Sequence, residues 1–218
     1  MKKAALFLLV PLLSLVLLAG CKGTDYTKHL SDVRSDLFAA ETEDFSLTIS
    51  CITRETPYAA DGVACNTLKL IEIAVKPSES TDGSKSYRIA LSGEPAISGE
   101  LSYRTVKGDY FLSQGVSAFP EGSVTVRLSD DGKTTELTAT SIRTEKTLSP
   151  EEALNFAVDA ERELLGRMTA GNTFEGEFTV RLMRRSRNYY FVGITGKKEN
   201  AALLIDAETG EVLARRVR

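Results

Sequence analysis

Histidine, cysteine and tryptophan are scarce in this chain. Its 218 residues include one histidine, His29, three cysteines and no tryptophan. Metal centres combine several histidine, cysteine or acidic ligands, so we expect no metal site and no cofactor. The motifs Ser-x-x-Lys, His-Glu-x-x-His, Gly-x-Ser-x-Gly and Gly-x-Gly-x-x-Gly are also missing. Without such a nucleophile, metal set or phosphate cradle, the sequence predicts a protein that is not an enzyme.

Positive charge is not in excess either. The chain has 27 Lys and Arg against 30 Asp and Glu, a formal net charge of −3. Proteins that bind nucleic acid by counterion release normally carry a net positive charge, so no nucleic-acid partner is expected. Apolar residues make up 42% of the chain, which is typical of a globular protein and excludes disorder.

The longest apolar run lies at the N-terminus. It covers residues 4–18 and follows the basic residues Lys2 and Lys3. As a helix it spans roughly 23 Å, which is short for a permanent membrane crossing. A basic start, an apolar centre and small residues at the end predict a signal peptide over residues 1–20.

The end of this run, Leu18-Ala19-Gly20-Cys21, resembles the lipobox of bacterial lipoproteins. The resemblance implies that Cys21 carries a thioether-linked diacylglycerol and becomes the first residue of the mature chain. Two acyl chains anchor a protein stably. We therefore expect a protein held at the cell membrane and facing outside the cytoplasm, with residues 21–26 as a short tether.

Two further cysteines, Cys51 and Cys65, would remain after lipidation. They are separated by fourteen positions that include the turn signals Thr56-Pro57-Tyr58 and Asp61-Gly62. Strands folding back around residue 58 would bring the two cysteines opposite each other. In an oxidising compartment this pair is a disulfide candidate. Two buried free thiols are the alternative.

The predicted architecture is α+β, with a boundary near residues 146–149. Residues 26–40 place Leu30, Val33, Leu37 and Phe38 at helical spacing and predict a short helix. Alternating strand-like segments follow, separated by turns, and indicate an antiparallel sandwich or barrel. We expect a helix plus a sandwich-like, β-rich domain over residues 27–145.

The C-terminal third, residues 149–218, begins with a helix start. Ser149 is placed to cap the helix, Pro150 to occupy its first position and Glu152 to complete a capping box. Strand-like runs and the turn Asp206-Ala207-Glu208-Thr209-Gly210 follow. With Tyr189-Tyr190-Phe191-Val192, these segments resemble a PepSY domain. The resemblance implies a helix packed on a small antiparallel sheet and a role in modulating extracytoplasmic proteins, often proteases.

The densest charge feature is a group of four arginines, Arg181, Arg184, Arg185 and Arg187. They straddle a predicted turn, so they form either a solvated hairpin tip or a docking surface for an acidic partner. We expect a surface-tethered lipoprotein that binds or regulates another envelope protein or a protease. The alternatives are a structural or assembly factor of the cell envelope and a hydrolase whose site is built from scattered residues.

Overall fold

The computed structural model describes residues 24–59, 61, 65–130, 132–171 and 173–218. A short 3-10 turn, Tyr26–His29, precedes the strands. The strands are β1 Leu30–Glu41, β2 Phe45–Glu55, β3 Thr67–Pro77, β4 Tyr87–Ser92, β5 Ile97–Arg104, β6 Asp109–Gly115, β7 Ser123–Asp130, β8 Lys133–Ser141, β9 Thr169–Ala170, β10 Thr173–Phe174, β11 Gly176–Arg184, β12 Asn188–Gly196, β13 Asn200–Asp206 and β14 Val212–Val217. The helices are α1 Pro150–Ala160 and α2 Arg162–Arg167.

The first eight strands form a closed antiparallel barrel. They are hydrogen-bonded in the order β1-β2-β3-β6-β5-β4-β7-β8, and β8 returns to β1 at Phe38–Ser141 and Ala39–Thr140. Alternate side chains point inward, because successive residues of a strand face opposite sides. On β2 these include Leu47 and Ile49, which are fully buried. The barrel interior is therefore a packed apolar core.

The C-terminal strands extend the same sheet. The first half of β1 pairs in parallel with β11, from Leu30–Phe178 to Arg34–Arg181. β11, β12, β13 and β14 then follow as antiparallel neighbours. α1 and α2 cover one face and bury a second apolar core that includes Leu154.

β1 belongs to both regions and serves both cores. Its register shifts between Arg34 and Asp36, where β2 pairs with it through a bulge. Beyond the bulge, Leu37 packs into the C-terminal core and Phe38 into the barrel core. Neighbouring residues of one strand can do this because their side chains leave opposite faces.

The predicted α+β fold class is wrong. The chain is 57% strand and 11% helical, and of the two alternatives for the strand region the barrel is right and the sandwich-like domain is wrong. The layout that the PepSY resemblance implied, a separate helix-on-sheet unit, is also wrong. The C-terminal strands are extra strands of the barrel sheet, joined to it by the pairing of β1 with β11.

The helix predicted over residues 26–40 is wrong as well. Only Tyr26–His29 forms a 3-10 turn, and Leu30–Glu41 is β1. The helical spacing of its apolar residues has a different cause. The bulge after Arg34 breaks the two-residue alternation, and the strand has apolar partners on both faces.

Two local predictions in the C-terminal third are confirmed. Ser149 Oγ accepts the Glu152 N–H at 3.2 Å, and the Glu152 carboxylate accepts the Ser149 N–H at 2.7 Å. Asp206 Oδ1 accepts the N–H groups of Glu208 and Thr209, and Gly210 takes a positive φ of 75°. These contacts are set by a few adjacent residues, so the sequence contains the whole signal.

The predicted boundary at 146–149 lies between the end of β8 at Ser141 and the start of α1 at Pro150. The signal peptide and the start of the tether, residues 1–23, lie outside the described residues. In the part of the chain that the structure describes, no helix is long and apolar enough to cross a membrane.

Candidate binding site at one end of the barrel

A cavity of about 430 Å³ opens at the barrel end where β1 connects to β2 and β7 to β8. Its floor is apolar and includes the buried residues Phe45, Tyr87 and Leu128. Charged and hydroxyl side chains form its rim. The rim residues are Glu43, Asp44, Ser78, Glu79, Ser80, Thr81, Lys85, Asp130, Lys133 and Thr135.

The cavity lies beside the short seam that closes the barrel. Among the described residues, β1 and β8 pair at two positions only, near Ser141 at the far end of β8. β1 ends at Glu41, so the first half of β8, which starts at Lys133, continues without β1 beside it. The wall is open there, between β8 and the start of β2.

The rim carries more negative than positive charge. Glu43, Asp44, Glu79 and Asp130 face Lys85 and Lys133. Such a rim favours a ligand that brings a positive charge.

The two carboxylate oxygens of Asp130, on the rim, have different surroundings. Its Oδ2 is 3.3 Å from Lys85 Nζ, while its Oδ1 is buried and meets no donor at ordinary hydrogen-bond geometry among the described residues, although the Tyr87 hydroxyl lies close enough to interact with the carboxylate. Burial, and then the negative charge of Asp130, raises the pKa of the Tyr87 hydroxyl above its usual range. A buried acceptor without a donor is uncommon in folded proteins and is readily satisfied by a ligand or a water molecule.

The four arginines predicted as a docking surface differ in the contacts they make within the chain. Arg181 Nε donates to Asp32 Oδ1 at 2.7 Å, and Arg187 Nη1 donates to Asp206 Oδ2 at 3.1 Å. Arg184 and Arg185 are exposed at the turn between β11 and β12. Two of the four side chains are thus committed to partners within the chain.

Arg181 instead belongs to a charged group on the outer face of β1, β2, β3 and β11. This group, the junction cluster, consists of Asp32, Arg34, Arg54, Glu72 and Arg181. Sequence reasoning found only Arg181, because the other members are far apart in sequence. Only the strand register brings them together, and no local pattern marks them.

The predicted lipidation site, Cys21, lies outside the described residues. Cys51 is buried on β2 opposite Ile71 and is not in a disulfide. Burial, with a smaller effect of Asp36, raises the pKa of its thiol to about 12. A thiol of that pKa is protonated and unreactive at neutral pH.

Cys65 lies elsewhere on the same hairpin. It is exposed, and its N–H donates to Glu55 Oε2 at 3.2 Å, near the end of β2. Four strand residues separate Glu55 from Cys51, a distance of roughly 13 Å. A disulfide needs Cα atoms within about 7 Å, so bonding would require the hairpin to rearrange. The Cys51–Cys65 disulfide stays a prediction.

The described residues contain no group of three His, Cys, Asp or Glu side chains that could hold a metal ion. The fold and the cavity together define a class: a closed antiparallel barrel with one open end, joined through its first strand to a helix-covered sheet. Comparison with known proteins found no matching family, no similar curated protein and no similar solved structure.

Proposed function

We propose that this chain is a lipid-anchored protein outside the cytoplasm that acts by binding a partner, and that the barrel-end cavity is its binding site. The observation that carries the proposal is the open cavity itself, with an apolar floor and an acidic rim that includes Asp130. The motif Leu18-Ala19-Gly20-Cys21 supports the anchor.

The partner class follows from the chemistry of the cavity. An apolar group would bury itself against Phe45, Tyr87 and Leu128, while a positively charged group would pair with Asp130 at the rim. A segment of another envelope protein or of a protease, with a lysine or arginine beside an apolar residue, meets both requirements. A binding role of this kind is regulatory or structural.

Site-specific crosslinking tests the binding site. A photo-crosslinking residue at Thr135 would face the cavity, whereas one at the exposed Thr138 lies on the opposite face of the same strand. In membranes from the native cell, we expect Thr135 to capture a discrete partner and Thr138 not to. Adding Asp130→Asn should weaken the capture from Thr135. Equal capture from both positions, or capture unaffected by Asp130→Asn, would overturn the proposed site.

Replacing Cys21 with Ser tests the anchor separately. We expect an unprocessed precursor or a released protein, since the acyl chains have no attachment point. The readouts are membrane retention and labelling with a radioactive fatty acid. Retention and labelling equal to those of the wild type would refute the anchor while leaving the cavity proposal intact.

The structure favours one alternative, an assembly factor of the envelope that pairs through a sheet edge. β14 is an end strand of the sheet, and most of its residues are exposed. Arg218 and Asn200 exchange backbone hydrogen bonds at 2.8 and 3.0 Å, so the N–H groups of Arg215 and Val217 point outward. An outward edge can accept a strand from another protein.

The variant Val217→Pro would remove one outward N–H group, and Val217→Ala is its matched control. If the assembly role is right, only the proline variant loses its partner in a crosslinking pull-down, with folding intact by circular dichroism. If both variants keep the partner, the edge is not used.

A further inference from the structure

The junction cluster has more positive than negative charge in a partly buried place. Three arginines, Arg34, Arg54 and Arg181, stand against two carboxylates, Asp32 and Glu72. The strand register sets this arrangement, because Asp32 lies opposite Arg54 and Arg34 opposite Arg181. One positive charge is left over when the pairs are counted.

The two carboxylates are already engaged by two of the arginines. Asp32, whose side chain is 0% exposed, accepts Arg54 Nε at 2.5 Å and Arg181 Nε at 2.7 Å. Arg54 Nη1 also donates to Glu72 Oε1 at 2.8 Å. Both oxygens of Asp32 are thus used by Arg54 and Arg181.

Arg34 is the cation without a partner. It makes no ion pair or hydrogen bond through its side chain to any described residue, and its Nε is buried. Burial, followed by the charge of Arg181, lowers the pKa of its guanidinium below the usual value. Neighbouring strands are about 4.8 Å apart, so Arg34 and Arg181 are like charges on adjacent positions of one face. Like charges opposite each other repel, and Glu72 and Asp32 offset only part of this repulsion, because the pKa of Arg34 remains lowered.

We propose that the junction cluster binds a small oxyanion of the phosphate type, held by Arg34 together with Arg181. Guanidinium groups present two parallel N–H donors that match two oxygens of a phosphate. A bound anion would give the buried Nε of Arg34 an acceptor and would compensate the extra positive charge. The inference rests on the cluster alone and does not depend on the barrel cavity or on the anchor.

The anion has two sources with the same chemistry, free phosphate and the phosphate of an anionic lipid headgroup. Arg34 follows Cys21 by thirteen residues. Because a lipid attached at Cys21 would keep the cluster near a membrane surface, the experiment needs an arm for each source.

The experiment uses the full chain purified in a neutral detergent, at constant ionic strength. In the first arm, inorganic phosphate is titrated and heat of binding and thermal midpoint are recorded. In the second arm, no phosphate is added, and the detergent micelles contain phosphatidylglycerol instead. Micelles that contain phosphatidylcholine are the comparison without a net headgroup charge. We expect saturable binding at one site and a rise in the thermal midpoint in at least one arm. Binding in the first arm identifies free phosphate as the anion, and binding in the second arm identifies the lipid headgroup.

Arg34→Gln should reduce the affinity at least tenfold, and Arg34→Lys should give an intermediate loss, because lysine keeps the charge without the paired donors. The exposed Arg162, paired with Asp159 on the helix side, gives the matched control Arg162→Gln, which should bind as the wild type does.

Without any anion, Arg34→Gln should have a thermal midpoint equal to or above that of the wild type, because it removes a cation that has no partner. A purely structural role predicts the opposite, a lower midpoint for Arg34→Gln in anion-free buffer. That result, or binding that is absent in both arms or unchanged by Arg34→Gln, would overturn the proposal.

Discussion

The barrel and the C-terminal sheet contrast in how they handle strand edges. In the barrel, each strand has a neighbour on both sides for at least part of its length, and the short β1–β8 seam leaves one opening, beside the cavity. The C-terminal sheet ends at β14 and covers one face with α1 and α2. A closed barrel has no unpaired strand edge along its closed part, but its open end can bind a ligand. The C-terminal sheet instead keeps the edge of β14 exposed.

Two fully buried carboxylates lie outside the barrel core, one in the C-terminal region and one where the two regions meet. In the C-terminal region, the carboxylate of Glu161 is fully buried and is held by Arg215 from β14. Asp32, equally buried, lies where the two regions meet. Both buried carboxylates are paired with arginines of strands that are distant in sequence, and β1 is the element that the two regions share.

Substitutions at two adjacent residues of β1 should separate the two cores. Phe38→Ala should destabilise the barrel by about 4 kcal/mol and Leu37→Ala the C-terminal region by about 3 kcal/mol, since each leaves a cavity in its own core. Native-state hydrogen exchange measures the effects strand by strand. Faster exchange in the same strands for both variants would show instead that the regions unfold as one unit.

Asp32→Asn should destabilise both regions together, by about 3 kcal/mol, because it leaves Arg54 and Arg181 without their buried carboxylate. Chemical denaturation followed by circular dichroism gives this difference, and the exposed Asp25→Asn serves as control. If Asp32→Asn lowers the stability of only one region, Asp32 does not stabilise the junction that the two regions share.

The effect of Asp32 depends on pH. Burial raises the pKa of its carboxyl, but the hydrogen bonds from Arg181 and Arg54 outweigh burial, and the net pKa is below the ordinary value of 3.8. The ionised group therefore stabilises the fold fully above pH 3.8 and loses this contribution as the pH falls further. The stability difference between wild type and Asp32→Asn should shrink in that acid range.

Ser149→Ala should cost about 1 kcal/mol, because it removes the N-cap of α1. The loss should appear first in the C-terminal region, as faster hydrogen exchange in α1. Ser117→Ala, in an exposed loop of the barrel, is the control and should have no measurable effect. Equal losses from the two variants would contradict a specific capping role.

The two cysteines of the β2–β3 hairpin should differ in their reactivity towards a thiol reagent, and this test needs no substitution that would alter the stability of the protein. If the hairpin keeps the geometry of the structure, a thiol reagent modifies Cys65 in native, unreduced protein and leaves the buried Cys51 untouched until the barrel unfolds. If the predicted disulfide forms, neither cysteine reacts before reduction. Intact-mass measurement with and without reductant reads this out. If Cys65 reacts only after reduction, the predicted disulfide exists after all.

The sequence was informative where a structure depends on neighbours along the chain. The cap at Ser149, the turn at Asp206 and the alternating strand-like segments before residue 145 were all predictable for this reason. β1 was not predictable, because its bulge and its two cores depend on β2, β8 and β11.

The same distinction applies to the candidate sites. The cavity depends on how far β1 extends along β8, which no local pattern encodes. The junction cluster joins Asp32 to Arg54 and Arg181 across 22 and 149 positions of the chain. The four-arginine motif was visible in sequence, but the carboxylates on other strands that Arg181 and Arg187 contact were not.

The position of β1 at the centre of the sheet has a consequence for the order of folding. Chains are made from the N-terminus, and domains tend to fold as they emerge. β1 can pair with β2 once residue 55 is made, but Ser141 of β8 and Phe178 to Arg181 of β11 come much later. The strand on which both regions are built therefore keeps an open edge during most of synthesis. High contact order of this kind slows folding, and an edge that stays open during that time is exposed to pairing with other chains.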